Sequence, residues 1–474
     1  MSRVSTTLGS IVRLMTGVLS GTFAGDSWHA WRTLLTAIDD GLGALDDDGR
    51  ALMHQLTGRS TVPATLAELW IICGRRSGKS IISAALAVWA TTCRTYTLAP
   101  GEVGVFMVLA ADRRQARVLK RYVSGLLHST PVLAALVEDE TADAITLTSG
   151  VVIEIHTNSY RSLRGYTCIG ATCDEIAFWD SEDSANPDRE VLVALRAAMG
   201  TVPEALLVCI TSPYARRGEA WRTYERFYGK DDSDRVLVVN APTLLLNPSI
   251  ELAVIEAAYA DDPVAASAEW GGEWRRDVEA FLPPEALEAV RMIGRLEQPP
   301  QYGITYTAFL DPAGGTGADS MTLAIAHRHG SVAVLDLVRE QRPPFSPEAT
   351  VQEFAATMKA YRVTTATSDR FAGHWPVEAF SKVGITVKPS ERTRSELYLA
   401  VLPAVMSGQV ELLDHPRLLK QFGSLERRKG RQGKDSVDAP PRMHEDVANA
   451  AAGALTLTAA GGGNGGGAIQ LRGF

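Results

Sequence analysis

Cys73-Gly74-Arg75-Arg76-Ser77-Gly78-Lys79-Ser80 follows an apolar run, Leu69 to Ile72, and leads into a helical run from Ile81 to Ala90. Strand, glycine-rich loop and helix in that order make an anion-binding loop, in which backbone N–H groups and a helix N-terminus converge on one point. Gly74 and Gly78 keep the backbone open, and Ser77 between them contributes its main chain. Lys79 can reach β- and γ-phosphates, and the Ser80 hydroxyl can ligate Mg²⁺. Cys73 stands where the pattern G-x-x-x-x-G-K-[ST] has its first glycine. Arg75 and Arg76 lie inside the loop, which suggests positive charge delivered to a γ-phosphate from the same chain, as a cis arginine finger would do.

The 474 residues are too many for one core, so two or three domains are expected. The apolar fraction of 46% is ordinary for a globular chain. A net charge of −8 argues against a uniformly basic nucleic-acid coat and leaves room for local basic surfaces. Cys73, Cys93, Cys168, Cys173 and Cys209 show no metal-ligand spacing, and read as reduced, buried residues of a cytosolic protein. No run reaches the length of a membrane span, so no membrane partner is expected. Arg13 interrupts Ile11–Leu19, which favours an amphipathic helix over a signal peptide.

Residues 1–60 read as a helical segment. From 61 to 235, strand-like runs alternate with helical ones: Leu69–Ile72, Val103–Ala110, Ile145–Leu147 with Val151–His156, Cys168–Cys173 and Ala205–Thr211. Such alternation implies a mostly parallel sheet covered by helices. A helical linker subdomain is expected over 236–300, with Asn247-Pro248, Asp262-Pro263 and Pro283-Pro284 as breaks. A second α/β module follows over 301–460, and the Gly-rich tail, 461–474, reads as flexible.

The strand Ile169–Cys173 ends in Asp174-Glu175. Beside a phosphate loop, the aspartate can hold Mg²⁺ and the glutamate can polarise the attacking water. The strand Leu206–Ile210 ends in Thr211-Ser212, hydroxyls that could sense a γ-phosphate or simply end a strand. Arg164, in Ser159–Gly165, is either a finger offered to a neighbouring subunit's nucleotide or a solvated loop residue. Arg113, Arg114, Arg117, Lys120 and Arg121 either line a DNA channel or form a solvated helix face.

In the second module Asp311 ends one strand, Asp369 follows another (Thr364–Ser368), and Asp446 opens an Ala-rich helix after His444-Glu445. Caps and turns use Asp constantly. The ordered set is what a two-metal nuclease needs: hard oxygen ligands around two divalent ions about 3.5–4 Å apart. Between the last two acids, Glu426 to Lys434 carries Arg427, Arg428, Lys429, Arg431 and Lys434 with two glycines. This reads as a basic hairpin suited to phosphate contact.

Taken in order, the arginine-bearing phosphate loop, the Asp-Glu strand, Thr211-Ser212-Pro213 and the three acids resemble the large terminase subunit of tailed double-stranded DNA bacteriophages, over roughly residues 50 to 457. Gln55-Leu56-Thr57-Gly58-Arg59 and the run from Asn247-Pro248 to Glu269-Trp270-Gly271-Gly272-Glu273-Trp274 share the likeness. The resemblance implies an α/β chain: an ASCE-type P-loop ATPase domain with a parallel sheet, then an RNase H-like nuclease domain. It implies a motor that uses ATP to pump concatemeric double-stranded DNA through a portal protein into a procapsid, and a nuclease that cuts it. A small terminase subunit, a pentameric ring of this chain on the procapsid, and a host-cytoplasmic setting come with it.

Carried over by position, Lys79 and Ser80 bind phosphate and Mg²⁺, Asp174 holds Mg²⁺, and Glu175 is the catalytic base. Arg75 matches the in-loop arginine, with Arg76 beside it. Thr211 and Ser212 match the coupling segment, and Gln55 and Arg59 fall near the adenine. Asp311, Asp369 and Asp446 match the nuclease triad for two Mg²⁺ or Mn²⁺ ions, with Glu445 or Asp319 as auxiliary ligand. The departures are Cys73, and Glu445 where a second Asp is often seen. A helicase-like ATPase–nuclease would need a second motor domain that the sequence does not offer. A scaffold with vestigial sites is at odds with intact Lys79, Asp174 and Glu175, and a transposase would leave the first half unexplained.

Overall fold

The computed structural model describes residues 9–157, 163, 165–179, 187–233, 235–275, 277–317, 319–369, 375–429, 435–440 and 443–460, excluding the side chains of 429 and 460. The chain forms two compact units, 1–276 and 277–474.

Eight strands build the first unit: β1 (Glu68–Cys73), β2 (Gly104–Ala110), β3 (Val137–Glu140), β4 (Ala144–Leu147), β5 (Val152–Thr157), β6 (Thr167–Asp174), β7 (Leu206–Thr211) and β8 (Val236–Ala241). They form one sheet in the order β3-β4-β5-β2-β6-β7-β1-β8. All neighbours from β5 to β8 are parallel, and β3 and β4 add an antiparallel edge. Their unbroken apolar runs follow from burial on both faces. In β1, Leu69, Ile71 and Cys73 enter one core, with the helices Lys79–Thr92 and Arg113–Leu127; Trp70 and Ile72 enter the other.

β7 lies between β1 and β6, so the phosphate-loop strand and the Asp-Glu strand each flank the strand that ends in Thr211. β3 was not expected. β8 falls at the start of the stretch read as a helical linker, yet pairs with β1 from Glu68 to Cys73. The helices Leu252–Asp261 and Pro263–Glu269 follow it within the first unit. The N-terminal helices pack into the first core through Leu14, Met15, Phe23, Trp31, Leu34 and Leu35.

The second unit contains β9 (Val278–Ala280), β10 (Arg291–Met292), β11 (Tyr306–Asp311), β12 (Met321–His329), β13 (Val332–Gln341), β14 (Thr365–Ser368), β15 (Thr386–Pro389), β16 (Val410–Leu413), β17 (Glu426–Lys429) and β18 (Asp435–Asp438). Seven of them make the mixed sheet β10-β16-β13-β12-β11-β14-β15, with β11–β12–β13 an antiparallel meander and β14 and β15 parallel to β11. This is the RNase H-like arrangement the resemblance implied. The final helix, Asp446–Ala460, packs its alanines against Phe309, Ala324 and Ala326 of the sheet. At Gly453 a Cβ would lie 2.3 Å from the Phe309 ring, so only glycine allows this approach. The basic hairpin is real in its strands: β17 and β18 pair antiparallel, with β9 on the other side of β17.

Candidate functional site

In the first unit the phosphate loop is fixed from outside by its carbonyls. Thr243 Oγ1 donates to the Arg75 carbonyl (2.8 Å), Asn247 Nδ2 to that of Arg76 (2.7 Å), and Trp31 Nε1 to that of Ser77 (2.9 Å). The carbonyls thus face protein donors, while the amides of residues 76–80 have no acceptor among the described residues. That is the polarity an anion needs. A Cβ on Gly74 would fall 2.3 Å from Thr243 Oγ1 and 2.7 Å from the Trp270 carbonyl, and Gly78 has φ +94° with Trp28 against it. Cys73 is harmless to the loop: it is the last residue of β1, fully buried, and its Sγ lies 3.0 Å from Ser77 Oγ.

Lys79 is 6% exposed, and its Nζ donates to Ser212 Oγ (2.8 Å) and pairs with Glu175 Oε1 (3.2 Å). The Ser212 amide donates to Glu175 Oε2 (3.0 Å), with Thr211 Oγ1 3.3 Å from the same oxygen. A buried ammonium is tolerable only with such partners. Glu175 adopts φ 51°, a left-handed turn that ends β6 and faces its carboxylate toward β7. Asp174 Oδ1 is buried with no hydrogen-bond partner. Burial above all, and then Glu175, pushes the Asp174 carboxyl up to about 7, with Lys79 opposing. An orphaned hard oxygen at this strand end, beside the Lys79–Glu175 pair, fits a Mg²⁺ ligand.

Arg75 is exposed and pairs with Glu269 Oε1 at 3.1 Å. Arg76 is exposed in a left-handed conformation (φ 62°). Arg59, expected near the adenine, is instead 2% exposed and donates to the carbonyls of Val236 (3.0 Å) and Ser233 (2.9 Å). Its guanidinium braces the entry to β8. Gln55 is exposed on the helix Asp47–Thr57. Arg113 and Arg117 pair with Asp143, and Lys120 with Glu140, so much of that basic face is neutralised by the β3–β4 edge. Arg164 lies outside the described residues.

In the second unit, Asn449 Nδ2 donates to both Asp311 Oδ2 and Asp369 Oδ2, each at 2.9 Å. One amide thus holds together two acids from the ends of β11 and β14. Asp446 lies three residues earlier on the same helix face, its Oδ2 accepting from the Ser320 amide (2.9 Å). Burial first, then Asp446 and Asp369, hold the Asp311 carboxyl well above the usual range, with the Asn449 amide opposing. Such crowding of carboxylates is what divalent cations relieve, and Asp311 and Asp369, held together by Asn449, offer the hard oxygens that Mg²⁺ or Mn²⁺ takes.

Glu445 points elsewhere. It pairs with Arg394 (2.7 Å) and accepts from Tyr398 Oη (3.2 Å) and the Ala439 amide (3.0 Å). Between the two adjacent acids, Asp446 therefore faces the cluster. Asp319 stands 3.2 Å from His444 Nδ1. Arg427 pairs with Asp435, and Arg428 lies 3.5 Å from Glu426. The side chain of Lys429, with Arg431 and Lys434, lies outside the described residues. Sequence reading missed Asn449, although its spacing from Asp446 was a usable signal. Thr243, Asn247 and Trp31 have no local signature as loop braces.

The first unit is an ASCE-type P-loop sheet and the second an RNase H-like fold. Among solved structures, the chain is similar to the HK97 bacteriophage large terminase, at 15% identity over 83% of this chain and 92% of that one, with a TM-score of 0.38. It is similar to the large terminase of a thermophilic bacteriophage in complex with ADP, at 14% identity over 83% and 93%, TM-score 0.36. It is also similar to the large terminase nuclease of thermophilic phage G20c with bound magnesium, at 15% identity over 36% of this chain and 94% of that one, TM-score 0.32. No family model and no curated protein matches. Among the described residues, no helix is long and apolar enough to cross a membrane.

Proposed function

We propose that this chain is a DNA-packaging motor: ATP hydrolysis in the first unit drives double-stranded DNA into a procapsid, and the second unit cuts concatemeric DNA. The observation that carries the reading is the double convergence on one chain. Lys79, Glu175 and Ser212 meet beside the ends of β1, β6 and β7, while Asn449 joins Asp311 to Asp369, with Asp446 one helical turn before it.

In the first unit the amides of 76–80 and Lys79 hold the β- and γ-phosphates, and Ser80 and Asp174 hold the divalent ion that offsets their charge. Glu175 takes the proton of the attacking water, and Arg75, released from Glu269, adds charge at the γ-phosphate. In the second unit Asp311, Asp369 and Asp446 would hold divalent ions, which would supply activation of water and stabilisation of the leaving 3′ oxygen. Arg427 and Arg428 on β17, with Lys429, Arg431 and Lys434, would contact the backbone of the DNA. A portal protein, a small terminase subunit and a pentameric ring on the procapsid in the host cytoplasm complete the proposal.

The test is a pair of variants assayed for both activities. Glu175→Ala should abolish ATP turnover and leave plasmid cutting intact; Asp311→Asn should do the reverse. Wild-type protein that hydrolyses ATP but cuts with neither Mg²⁺ nor Mn²⁺ would remove the nuclease half of the reading.

A further inference from the structure

The helix Leu252–Asp261 reads Leu-Ala-Val-Ile-Glu-Ala-Ala-Tyr-Ala-Asp, apolar on every side, yet Ile255 is its only buried residue. Leu252 is 54% exposed and Val254 49%. A helix that is apolar all round is normally buried. Its charges are of one sign: Glu256 and Asp261 lie on it, Glu251 precedes it and Asp262 follows, with no cation from 251 to 262. The helix stands between two anchors on the phosphate loop, Asn247 before it and Glu269 at the end of the next helix. In the same unit the helix Arg113–Leu127 shows the converse. Arg113, Arg117 and Lys120 are taken by Asp143 and Glu140. Arg114, Val118, Arg121 and Tyr122, spaced by three and four residues, form an exposed stripe beside them. Val118 is 39% exposed and Tyr122 43%, and neither Arg114 nor Arg121 has an ion pair among the described residues.

We infer that these two surfaces are each other's partners in neighbouring copies: the acidic, apolar helix Leu252–Asp261 of one chain seats on the basic, apolar stripe of the next. The inference rests on the ring of copies in the packaging reading and names the surfaces that build it. Charge complementarity selects this pairing over helix against helix or stripe against stripe, since like charges facing each other repel. A contact between two different patches of one chain is heterologous, so each added copy brings a free patch that extends the array or closes it. Arg114 and Arg121 thereby gain a use other than lining a DNA channel.

The test is sedimentation of the full-length protein over a range of concentrations, with ATP turnover, plasmid cutting and binding to double-stranded DNA measured on the same preparations. Wild type should associate at low salt, and less as salt is raised. Leu252→Ser/Val254→Ser and Val118→Ser/Tyr122→Ser, all at exposed positions, should each weaken association about tenfold or more. An equimolar mixture of the two should recover a dimer that grows no further, because each variant keeps the patch the other has lost. Glu256→Lys, which removes no apolar group, should weaken association as well. Variants that associate like wild type, a mixture that stays monomeric, or wild type that is monomeric at every concentration overturns the inference. Loss of DNA binding in Val118→Ser/Tyr122→Ser with association intact also overturns it, and assigns the stripe to DNA. Each of these results leaves the two activities of the packaging reading standing if wild type turns over ATP and cuts DNA. Absence of both activities from wild type overturns that reading, whatever the sedimentation.

Discussion

Gly453→Ala sets two effects of opposite sign against each other. In the middle of the helix Asp446–Ala460, replacing glycine by alanine should stabilise by about 1 kcal/mol through helix propensity. The added methyl, however, would lie 2.3 Å from two ring carbons of Phe309 and 2.6 Å from a third. Carbon atoms pack at about 3.5–4.0 Å, so a separation of more than 1 Å must be found. Phe309 cannot supply it: it is fully buried on β11, which has β12 on one side and β14 on the other. The helix must move instead. Overpacking of this kind costs about 1–3 kcal/mol, and a clash with the face of a ring that cannot swing aside belongs at the top of that range. The net effect is a loss of about 2 kcal/mol, or about 4–8 °C in the melting of a unit this size.

The displaced helix carries Asp446 and Asn449 away from Asp311, which shares a strand face with Phe309. A misplacement of about 1 Å commonly costs about a hundredfold in rate. Thermal unfolding, Mn²⁺-dependent plasmid cutting and ATP turnover on one preparation decide the matter. Expected are a lower melting temperature, cutting reduced about a hundredfold and ATP turnover unchanged. A Gly453→Ala protein as stable as wild type, with full cutting, would show that the contact does not control the site.

Asp174 gives a pH dependence. Its carboxyl is raised to about 7, against about 3.9 in an unfolded chain, so the native state holds this proton the more tightly. The associated stability is present below about pH 4 and is lost as pH rises through 7. Asp174→Asn, unable to ionise, should gain on wild type in denaturant midpoint between pH 5 and 8, without nucleotide or metal; parallel pH profiles would contradict this. Glu445→Gln and Asp446→Asn separate the two adjacent acids. The first should lower the melting temperature through Arg394 and Tyr398 while Mn²⁺ binding persists, and the second should weaken Mn²⁺ binding. Equal loss of Mn²⁺ binding in both would refute the division of labour.

The phosphate loop, Asp174-Glu175 and the hydroxyls at 211–212 were legible because each is a local pattern at a strand end. The acids Asp311, Asp369 and Asp446 could be singled out for the same reason, although the Asn449 amide that joins the first two was not read. β8 was missed because Val236–Ala241 abuts Pro242 and the helical stretch, and only pairing with β1 decides its state. The burial of Arg59 against the carbonyls of Ser233 and Val236 was not legible, because nothing local in the sequence separates such an arginine from any other near a nucleotide loop. The basic face from Arg113 to Arg121 was left open between two readings, because its acidic partners lie on a separate hairpin.

Just beyond the tip of β7 the chain is tied to its own exit from the first unit. Ala215 forms a bridge with Arg275, the Arg275 amide donates to the Tyr214 carbonyl (2.9 Å), and the unit ends at Arg276. From Thr211 to Tyr214 is a reach of about 10 Å at most. The strand end that carries Thr211 and Ser212 and the segment that closes the first unit are therefore joined by backbone contacts a few residues away, with no side chain between them.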